Sequence, residues 1–120
     1  MNLLSFFRSA LDEDKSPIVI CDLNHLIIYM NPSACQRYKG NLVGKCLMNC
    51  HNAKSREMIE KVIAWFQESC DNNRIYTYRN DDENKDVYMI ALRDESGELI
   101  GYYEKHEYRN RETESLYNFK

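Results

Sequence analysis

An Asn-Pro step at residues 31–32 constrains the fold more than any other feature, because one kind of structure must end there and another begin. The residues before it, 26–30, form an apolar run rich in strand-forming side chains. Proline lacks the donor that a central strand needs, but its fixed φ suits the first turn of a helix, with Asn31 as the N-cap. Gly40 predicts the end of that short helix. The chain therefore leaves a sheet here and folds over one face of it.

Five short runs have the composition of β-strands, being rich in β-branched and aromatic residues. They cover residues 18–21, 26–29, 74–79, 87–92 and 99–108. Several are apolar on both sides, so both faces of the sheet need cover, and the sequence leaves open which side of each strand points inward.

Two further segments have apolar residues at helical spacing. Residues 2–12 carry a stripe of leucine and phenylalanine, and residues 53–70 form the longest predicted helix. The order is then helix, two strands, helices and three strands. It predicts an α+β fold with a five-stranded antiparallel sheet, helices packed on one face and an N-terminal flanking helix. Either that flanking helix or a second subunit must cover the other face.

Length and charge exclude several classes of protein. The 120 residues suit one domain, and the net charge of −3 comes from mixed acidic and basic residues. This favours neither nucleic acid nor a membrane as a partner. No signal peptide or transmembrane run is recognisable. The five cysteines are odd in number and mostly lie in apolar patterns, which predicts reduced, buried thiols in a cytoplasmic protein.

Three motifs together resemble the signature of the PAS (Per-Arnt-Sim) sensor domain. They are Tyr-x-Asn-Pro-x-Ala at residues 29–34, Leu-Val-Gly-Lys at 42–45, and an Asp-x-x-Gly-x-x-x-Gly turn and strand at 94–101. The strand exit departs from the family, because Glu-Tyr-Arg stands where Asp-Ile/Val-Thr is common. The family often has glycine at the position of His25, so we expect Asn24 to take the left-handed conformation instead.

The resemblance divides the chain into a flanking helix at residues 1–14, a PAS-like sensor domain at 15–108 and a polar tail at 109–120. It implies a signal-transduction module that binds a small ligand or cofactor between sheet and helices, and signals through dimer contacts or a partner signalling protein. The alternative is a ligand-free dimerisation or docking module. The candidate pocket residues are Tyr29, Ala34, Tyr38, Leu42, Leu47, Ile59, Ile63, Met89, Ala91 and Tyr103.

The cluster Cys46-x-x-x-Cys50-His51 has the residue types of a metal or redox site. Its spacing is one residue too long for c-type haem attachment, and no second cysteine pair completes a zinc site, so no metal site is predicted. Thiols in a loop before the main helix are the simpler interpretation. The sharper one is a haem or thiol redox sensor with Cys50 or His51 at the pocket wall, and His51 is the best axial-ligand candidate of the three histidines.

The sequence does not identify a cofactor. Asn49-Cys50-His51 is only superficially similar to the Asn-Cys-Arg of flavin-binding relatives, and strands 87–92 and 99–108 contain no Asn or Gln for the ring edge, which argues against flavin. No catalytic motif is present. Cys50 with His51 as nucleophile and base lacks an orienting acid, so we do not expect an enzyme.

The N-terminal segment predicts self-association. Its stripe of Leu3, Leu4, Phe6, Phe7 and Leu11 is too apolar to leave in water, and so short a helix needs a surface to pack on. We therefore expect a homodimer that uses this helix, with burial against the chain's own sheet as the alternative.

Overall fold

The computed structural model describes residues 1–120. Its elements are α1 (Leu3–Asp12), β1 (Val19–Asp22), β2 (Ile27–Met30), α2 (Pro32–Arg37), a 3-10 helix (Leu47–Cys50), α3 (Ala53–Glu68), β3 (Arg74–Asn80), β4 (Lys85–Arg93) and β5 (Leu99–Tyr108). The predicted flanking helix, five strands and long helix are all confirmed, and the order of the elements is as expected.

The strands form one antiparallel sheet in the order β2-β1-β5-β4-β3. The register places Ile27, Cys21, Tyr102 and Ala91 side by side across four strands. Residues paired across neighbouring strands project to the same side of a sheet, so these four share one face, here called the inner face. A β-bulge in the β1–β2 pairing, between Ile20 and Cys21, separates Ile27 from Tyr29. The neighbouring row, Tyr29, Ile20, Tyr103 and Ile90, lies on the opposite or outer face.

Helix α3 covers the inner face. Asn52 caps it by accepting a hydrogen bond from the Ser55 amide at 2.8 Å. The side chains of Ile59, Val62, Ile63 and Phe66 are buried in the same core as Cys21, Met89 and Tyr102. Met58 is exposed on the outer side of the helix, and Cys70 is exposed because the helix ends at Glu68, two residues before the predicted end.

Helix α1 leaves the outer face uncovered. None of its residues is buried, and Leu3, Leu4, Phe6 and Phe7 keep 52–72% of their surface exposed. Its attachments to the domain lie in its carboxyl-terminal half, where the Arg8 guanidinium is 5.7 Å from the centroid of the Tyr29 ring and the Tyr29 hydroxyl donates a hydrogen bond to Asp12. The flanking helix of the same chain therefore does not cover the outer face of the sheet, although the apolar strands predict that this face is covered.

Asn31 joins this attachment to the rest of the fold. Its side-chain oxygen accepts hydrogen bonds from the Ile18 and Ala34 amides, both at 2.9 Å. Its side-chain nitrogen lies 2.9–3.2 Å from the carbonyl oxygens of Leu11, Asp14 and Ser16. The predicted N-cap of α2 is confirmed, and the same fully buried amide also fixes the end of α1.

The β1–β2 turn corrects one prediction. His25, not Asn24, has the left-handed conformation, with φ of 64°. The Asp22 carboxylate accepts hydrogen bonds from the amides of Asn24 and Leu26, which fixes the turn around His25. The position that often carries glycine in the resembling family thus keeps its backbone conformation here with a histidine.

The cysteines and the polar tail are the subject of two further predictions. Of the five cysteines, only Cys21 is buried; Cys35 and Cys46 are half-buried, and Cys50 and Cys70, which lie at the end of the 3-10 helix and beyond the end of α3, are exposed, so the expectation of buried thiols is wrong for most of them. Residues 109–120 form no helix or strand and are exposed. None of the helices is long and apolar enough to cross a bilayer.

Candidate functional site

A cavity of about 340 Å³ lies between the inner face and the segment from α2 to the 3-10 helix. Nine of its thirteen lining residues are hydrophobic. They are Pro17, Val19, Cys21, Ile27, Met30, Tyr38, Leu42, Leu47, Cys50, His51, Tyr102, Glu104 and His106. The volume lies within the range of small-molecule sites in proteins.

Alternation along β5 builds the polar wall of this cavity. Tyr102, Glu104 and His106 are two residues apart, so all three project to the inner face. The register sets Glu104 beside Met89 and His106 beside Val87 on β4. An otherwise apolar face therefore carries a carboxylate and an imidazole at one end of the cavity.

His106 has an unsatisfied ring nitrogen. The residue is only 7% exposed, and its buried Nδ1 has no hydrogen-bond partner. Its Nε2 lies 3.8 Å from a carboxylate oxygen of Glu104. Burial lowers the pKa of His106 to about 4, and the nearby charges of Lys85 and Arg37 act in the same direction. The imidazole is therefore neutral at pH 7.

Glu104 is the other available group at this end. Partial desolvation by the cavity wall raises the pKa of its carboxyl group, and the charges of His51, Lys85 and Arg37 oppose that rise. The carboxylate forms no hydrogen bond within the chain, although it approaches His106.

A buried lysine lies further along the same face. The Lys85 ammonium is 3.5 Å from Glu83 and 3.5 Å from the Tyr108 hydroxyl, with its side chain 1% exposed. Arg37 binds the same Glu83 carboxylate through two hydrogen bonds of 2.6 and 2.9 Å. That pairing is the main cause of the low pKa of Glu83, which falls to about 2. One carboxylate thus serves two cations, and Glu104 is the second anion nearby.

A groove of about 500 Å³ adjoins the cavity between α3 and strands β3 and β4. The two spaces share the wall residues Tyr38, His51, Glu104 and His106. The polar end of the cavity is therefore also its boundary with the groove.

The structure distributes the predicted pocket residues over several places. Tyr38, Leu42 and Leu47 line the cavity, as do Cys50 and His51, while Ile59 and Met89 line the groove. Ala34 and Ile63 are buried in the core, and Ala91 packs against it. Tyr29 and Tyr103 lie on the outer face, one register row away from Tyr102, so they do not line the cavity.

Sequence reasoning missed Tyr102, Glu104 and Lys85, and it ranked His106 below His51. The signal that could have found them is the alternation Tyr102-x-Glu104-x-His106-x-Tyr108, since polar residues two apart share a face. It was hidden because the opposite side of the same strand offers Tyr103, another aromatic residue of the kind that lines pockets.

The three histidines differ in what they can still bind. Both ring nitrogens of His25 are engaged at 2.7 Å, one with the Tyr102 hydroxyl and one with Glu60. His51 uses Nδ1 at 3.0 Å from the Leu47 carbonyl oxygen, which leaves Nε2. Only His51 and His106 therefore keep a free nitrogen at the cavity.

Haem does not fit the enclosed space well. The 340 Å³ cavity is little more than twice the size of an engineered cavity of about 150 Å³ that holds benzene, and a porphyrin is several times larger than benzene. No group of three His, Cys, Asp or Glu side chains is arranged to hold a metal ion. The geometry suits a small organic molecule better.

Comparisons with known proteins agree on one family. Residues 15–104 match the family described as PAS domain, and no curated protein matches the chain. The PAS domain of a Colwellia psychrerythraea protein superposes with a TM-score of 0.65 at 17% identity, over 88% of this chain and 96% of that one. The PAS domain of Bordetella pertussis BvgS gives 0.63 at 20% identity, over 91% and 88%. Histidine kinase ThkA, in complex with response regulator TrrA, gives 0.55 at 16% identity, over 82% and 30%.

Proposed function

Because the chain belongs to the PAS domain family, whose model covers residues 15–104, we propose that it is a sensory module that binds a small molecule in the cavity. The observation that carries this proposal is the cavity of about 340 Å³, which is lined mostly by hydrophobic residues and has Tyr102, Glu104 and His106 at one end. A mostly apolar cavity of this size with a few polar groups at one end is typical of sites that bind small molecules. The site, and not the fold alone, supports the function.

The connection from cavity to flanking helix runs through Asn31. Met30 lines the cavity, and the next residue caps α2 and donates to the carbonyl of Leu11 at the end of α1. A ligand that favours one position of α2 would therefore bias the position of α1, by population shift between two arrangements. The solved complex of ThkA with its response regulator supports a partner signalling protein as the recipient.

The exposed apolar residues of α1 support a homodimer as the second part of the proposal. Leu4 and Phe7 are 72% and 59% exposed, and isolated helices of ten residues are marginal in water. Packing α1 against a second copy would bury them.

Ligand binding is tested by mass spectrometry of the protein purified from its native cell, with a cavity-filling variant as the comparison. Leu42→Trp enlarges a lining residue, and Ile28→Trp enlarges an exposed residue of β2 as the matched control. We expect a copurified small molecule with the wild type and with I28W, and its loss with a folded L42W. A ligand that stays bound to L42W would place binding elsewhere, and a ligand-free wild type that no cell extract stabilises would favour the dimerisation module.

The dimer is tested by sedimentation at tens of micromolar. Leu4→Glu with Phe7→Glu should give monomers, whereas Ser5→Glu with Ser9→Glu adds the same charge to the same helix and should stay dimeric. A wild-type monomer would contradict the dimer. A chain that begins at Lys15 and stays dimeric would place the interface on the sheet.

A further inference from the structure

The size and composition of the cavity limit the body of its ligand. About 340 Å³ is roughly twice the space that holds benzene in an engineered cavity, so a molecule of about a dozen non-hydrogen atoms fits. Nine of the thirteen lining residues are hydrophobic, so most of that molecule must be apolar. The polar group that it carries depends on the charge of the cavity wall.

The cavity wall contains a single carboxylate. Glu104 is the only acidic side chain among the thirteen lining residues, and none of them is a lysine or an arginine. The imidazole of His106, two residues along β5, is neutral at pH 7 because its pKa is lowered to about 4. The wall therefore carries a negative charge that no lysine or arginine of the cavity neutralises.

The Glu104 side chain is accessible and has no close partner. Strand β5 projects it to the inner face beside Met89, where 49% of its surface is exposed. Because Glu104 lines both the cavity and the groove, that surface faces these two spaces. Its nearest possible ion-pair partner is Nε2 of the neutral His106 at 3.8 Å, which is beyond hydrogen-bonding distance.

The cations of the neighbouring groove are paired with a different carboxylate. Lys85 and Arg37 lie 3.5 and 2.6 Å from Glu83, and neither lines the cavity. Their charges act on Glu104 only at longer range, where with that of His51 they oppose the rise in pKa that desolvation causes. A cation in the cavity would act in the same direction and would supply the close partner that this carboxylate lacks.

The three charge classes of ligand differ in their effect on this carboxylate. An anion would meet a like charge and would find no lysine or arginine in the cavity. A neutral molecule could donate a hydrogen bond but would leave the negative charge uncompensated. An ammonium or amidinium donates and also compensates the charge, and hydrogen bonds between opposite charges are the stronger kind. The partial exposure of Glu104 lowers the desolvation cost of such a pair.

We propose that the cavity binds a small organic cation, a mostly apolar molecule with one protonated amine or amidine that forms an ion pair with Glu104. This proposal rests on the proposed sensory function and names the ligand class of that site. The apolar body lies beside Leu42 and Leu47, and the cationic group lies at the end where the cavity meets the groove.

Three phenyl compounds test the charge at nearly constant shape. Phenethylamine is a cation at pH 7, phenethyl alcohol has a neutral hydroxyl in place of the ammonium, and phenylacetate is an anion. Dissociation constants are measured by isothermal titration with the full chain. We expect the amine to bind at least about tenfold more tightly than the alcohol, and phenylacetate to bind more weakly than either.

The outcomes separate this proposal from the proposed function. An amine that binds no more tightly than the alcohol would overturn the cationic class and leave the sensory function standing. If none of the three compounds binds at millimolar concentration, this proposal is overturned, whereas the molecule that copurifies with the protein still decides the sensory function. That molecule should itself carry an amine or amidine, and a neutral or anionic one would overturn the class.

Two glutamates of β5 locate the contact. Glu104→Gln keeps the shape of the side chain and removes its charge. Glu107→Gln removes a charge from the opposite face of the same strand, where Glu107 pairs with Arg74 at 3.0 Å. E104Q should lose the preference for the amine over the alcohol, and E107Q should keep it. A preference that persists in a folded E104Q, or that is lost equally in both variants, would overturn the assignment to Glu104.

Two further variants distinguish the cavity from the groove. Leu42→Trp fills the cavity, and Met58→Trp enlarges a residue that lines only the groove. A folded L42W should lose the amine, and M58W should keep it. The reverse result would place the amine in the groove and overturn the cavity assignment. Circular dichroism checks the folding of each variant, and the wild-type comparison of amine with alcohol stands independently if a variant does not fold.

Discussion

The two longest amphipathic helices, α1 and α3, differ in whether the apolar stripe is buried within the chain. Helix α3 buries Ile59, Val62, Ile63 and Phe66 against the inner face. Helix α1 carries an even more apolar stripe but has no fully buried residue, and its contacts with Tyr29 and Asn31 lie in its carboxyl-terminal half. An apolar stripe therefore shows that a helix needs a surface, but it does not show whether that surface belongs to the same chain.

The largest contrast between these helices should appear when a phenylalanine is removed from each. Phe66 is fully buried, so Phe66→Ala should lower the free energy of unfolding by about 3–5 kcal/mol. Phe6 is 62% exposed, so Phe6→Ala should change the stability of the monomer by less than about 0.5 kcal/mol. Urea unfolding at micromolar concentration measures both. A large loss in F6A under monomeric conditions would mean that α1 packs on its own sheet.

Acid should weaken the side of the sheet that α3 covers. The pKa of His106 is about 4 in the folded chain, against 6.5 for an exposed histidine. Between these values the unfolded chain binds the extra proton, so stability falls as the pH drops from about 6.5 to about 4. The full contribution is about 3 kcal/mol. The measurement is urea unfolding of wild type and His106→Leu over this pH range.

The difference between the two proteins isolates His106. The raised pKa of Glu104 acts in the opposite direction, since its folded form takes up a proton first as the pH falls, and this effect is common to both proteins. H106L should therefore have a flatter dependence on pH than the wild type. Parallel curves would mean that the imidazole is hydrated in the folded chain.

Replacing Asn31 tests how the carboxyl end of α1 is held to the domain. Asn31→Ala leaves two amides, of Ile18 and Ala34, without their acceptor, and should cost about 2–4 kcal/mol. Asn41→Ala is the matched control, because that exposed side chain accepts only from the Val43 amide. Thermal unfolding measures the loss, and hydrogen exchange of residues 3–12 reports whether α1 detaches. Equal losses in both variants would contradict a central role for Asn31.

The sequence predicts the fold well because its signals are local. The Asn-Pro step, the strand composition and the spacing in residues 53–68 each depend on neighbours along the chain. Tyr38, Leu42 and Leu47 could be placed at the cavity by the same reasoning. Tyr103 is predicted at the cavity in place of Tyr102 because strand composition does not reveal register, and a shift of one residue exchanges the two faces.

The polar wall could not be predicted for a different reason. Lys85, Glu104 and His106 are charged or titratable residues in strands, and such residues are usually exposed. Only the pairing of β4 with β5 brings Lys85 beside Tyr108 and buries it. Likewise, nothing local indicates that His25 reaches both Tyr102 and Glu60.

The smallest expected effect concerns His25, whose hydrogen bond to Glu60 connects α3 to the β1–β2 hairpin. The amino-terminal half of α1 has no comparable connection to the sheet. Removing its ring breaks the 2.7 Å contact that pairs the buried Tyr102 hydroxyl. His25→Ala and His25→Gly lose this contact equally. They differ only in backbone, because φ is 64° and an L-residue pays about 1–2 kcal/mol more than glycine in that region.

His25→Gly should therefore be more stable than His25→Ala by about 1 kcal/mol, although both should be less stable than the wild type because the Tyr102 hydroxyl loses its partner. Asn24→Gly and Asn24→Ala form the control pair, since Asn24 precedes the left-handed position and should give glycine no such advantage. Urea unfolding of the four variants measures both differences. A glycine advantage at residue 24 but not at residue 25 would return the left-handed conformation to Asn24, and the link between α3 and the hairpin would then need a different turn.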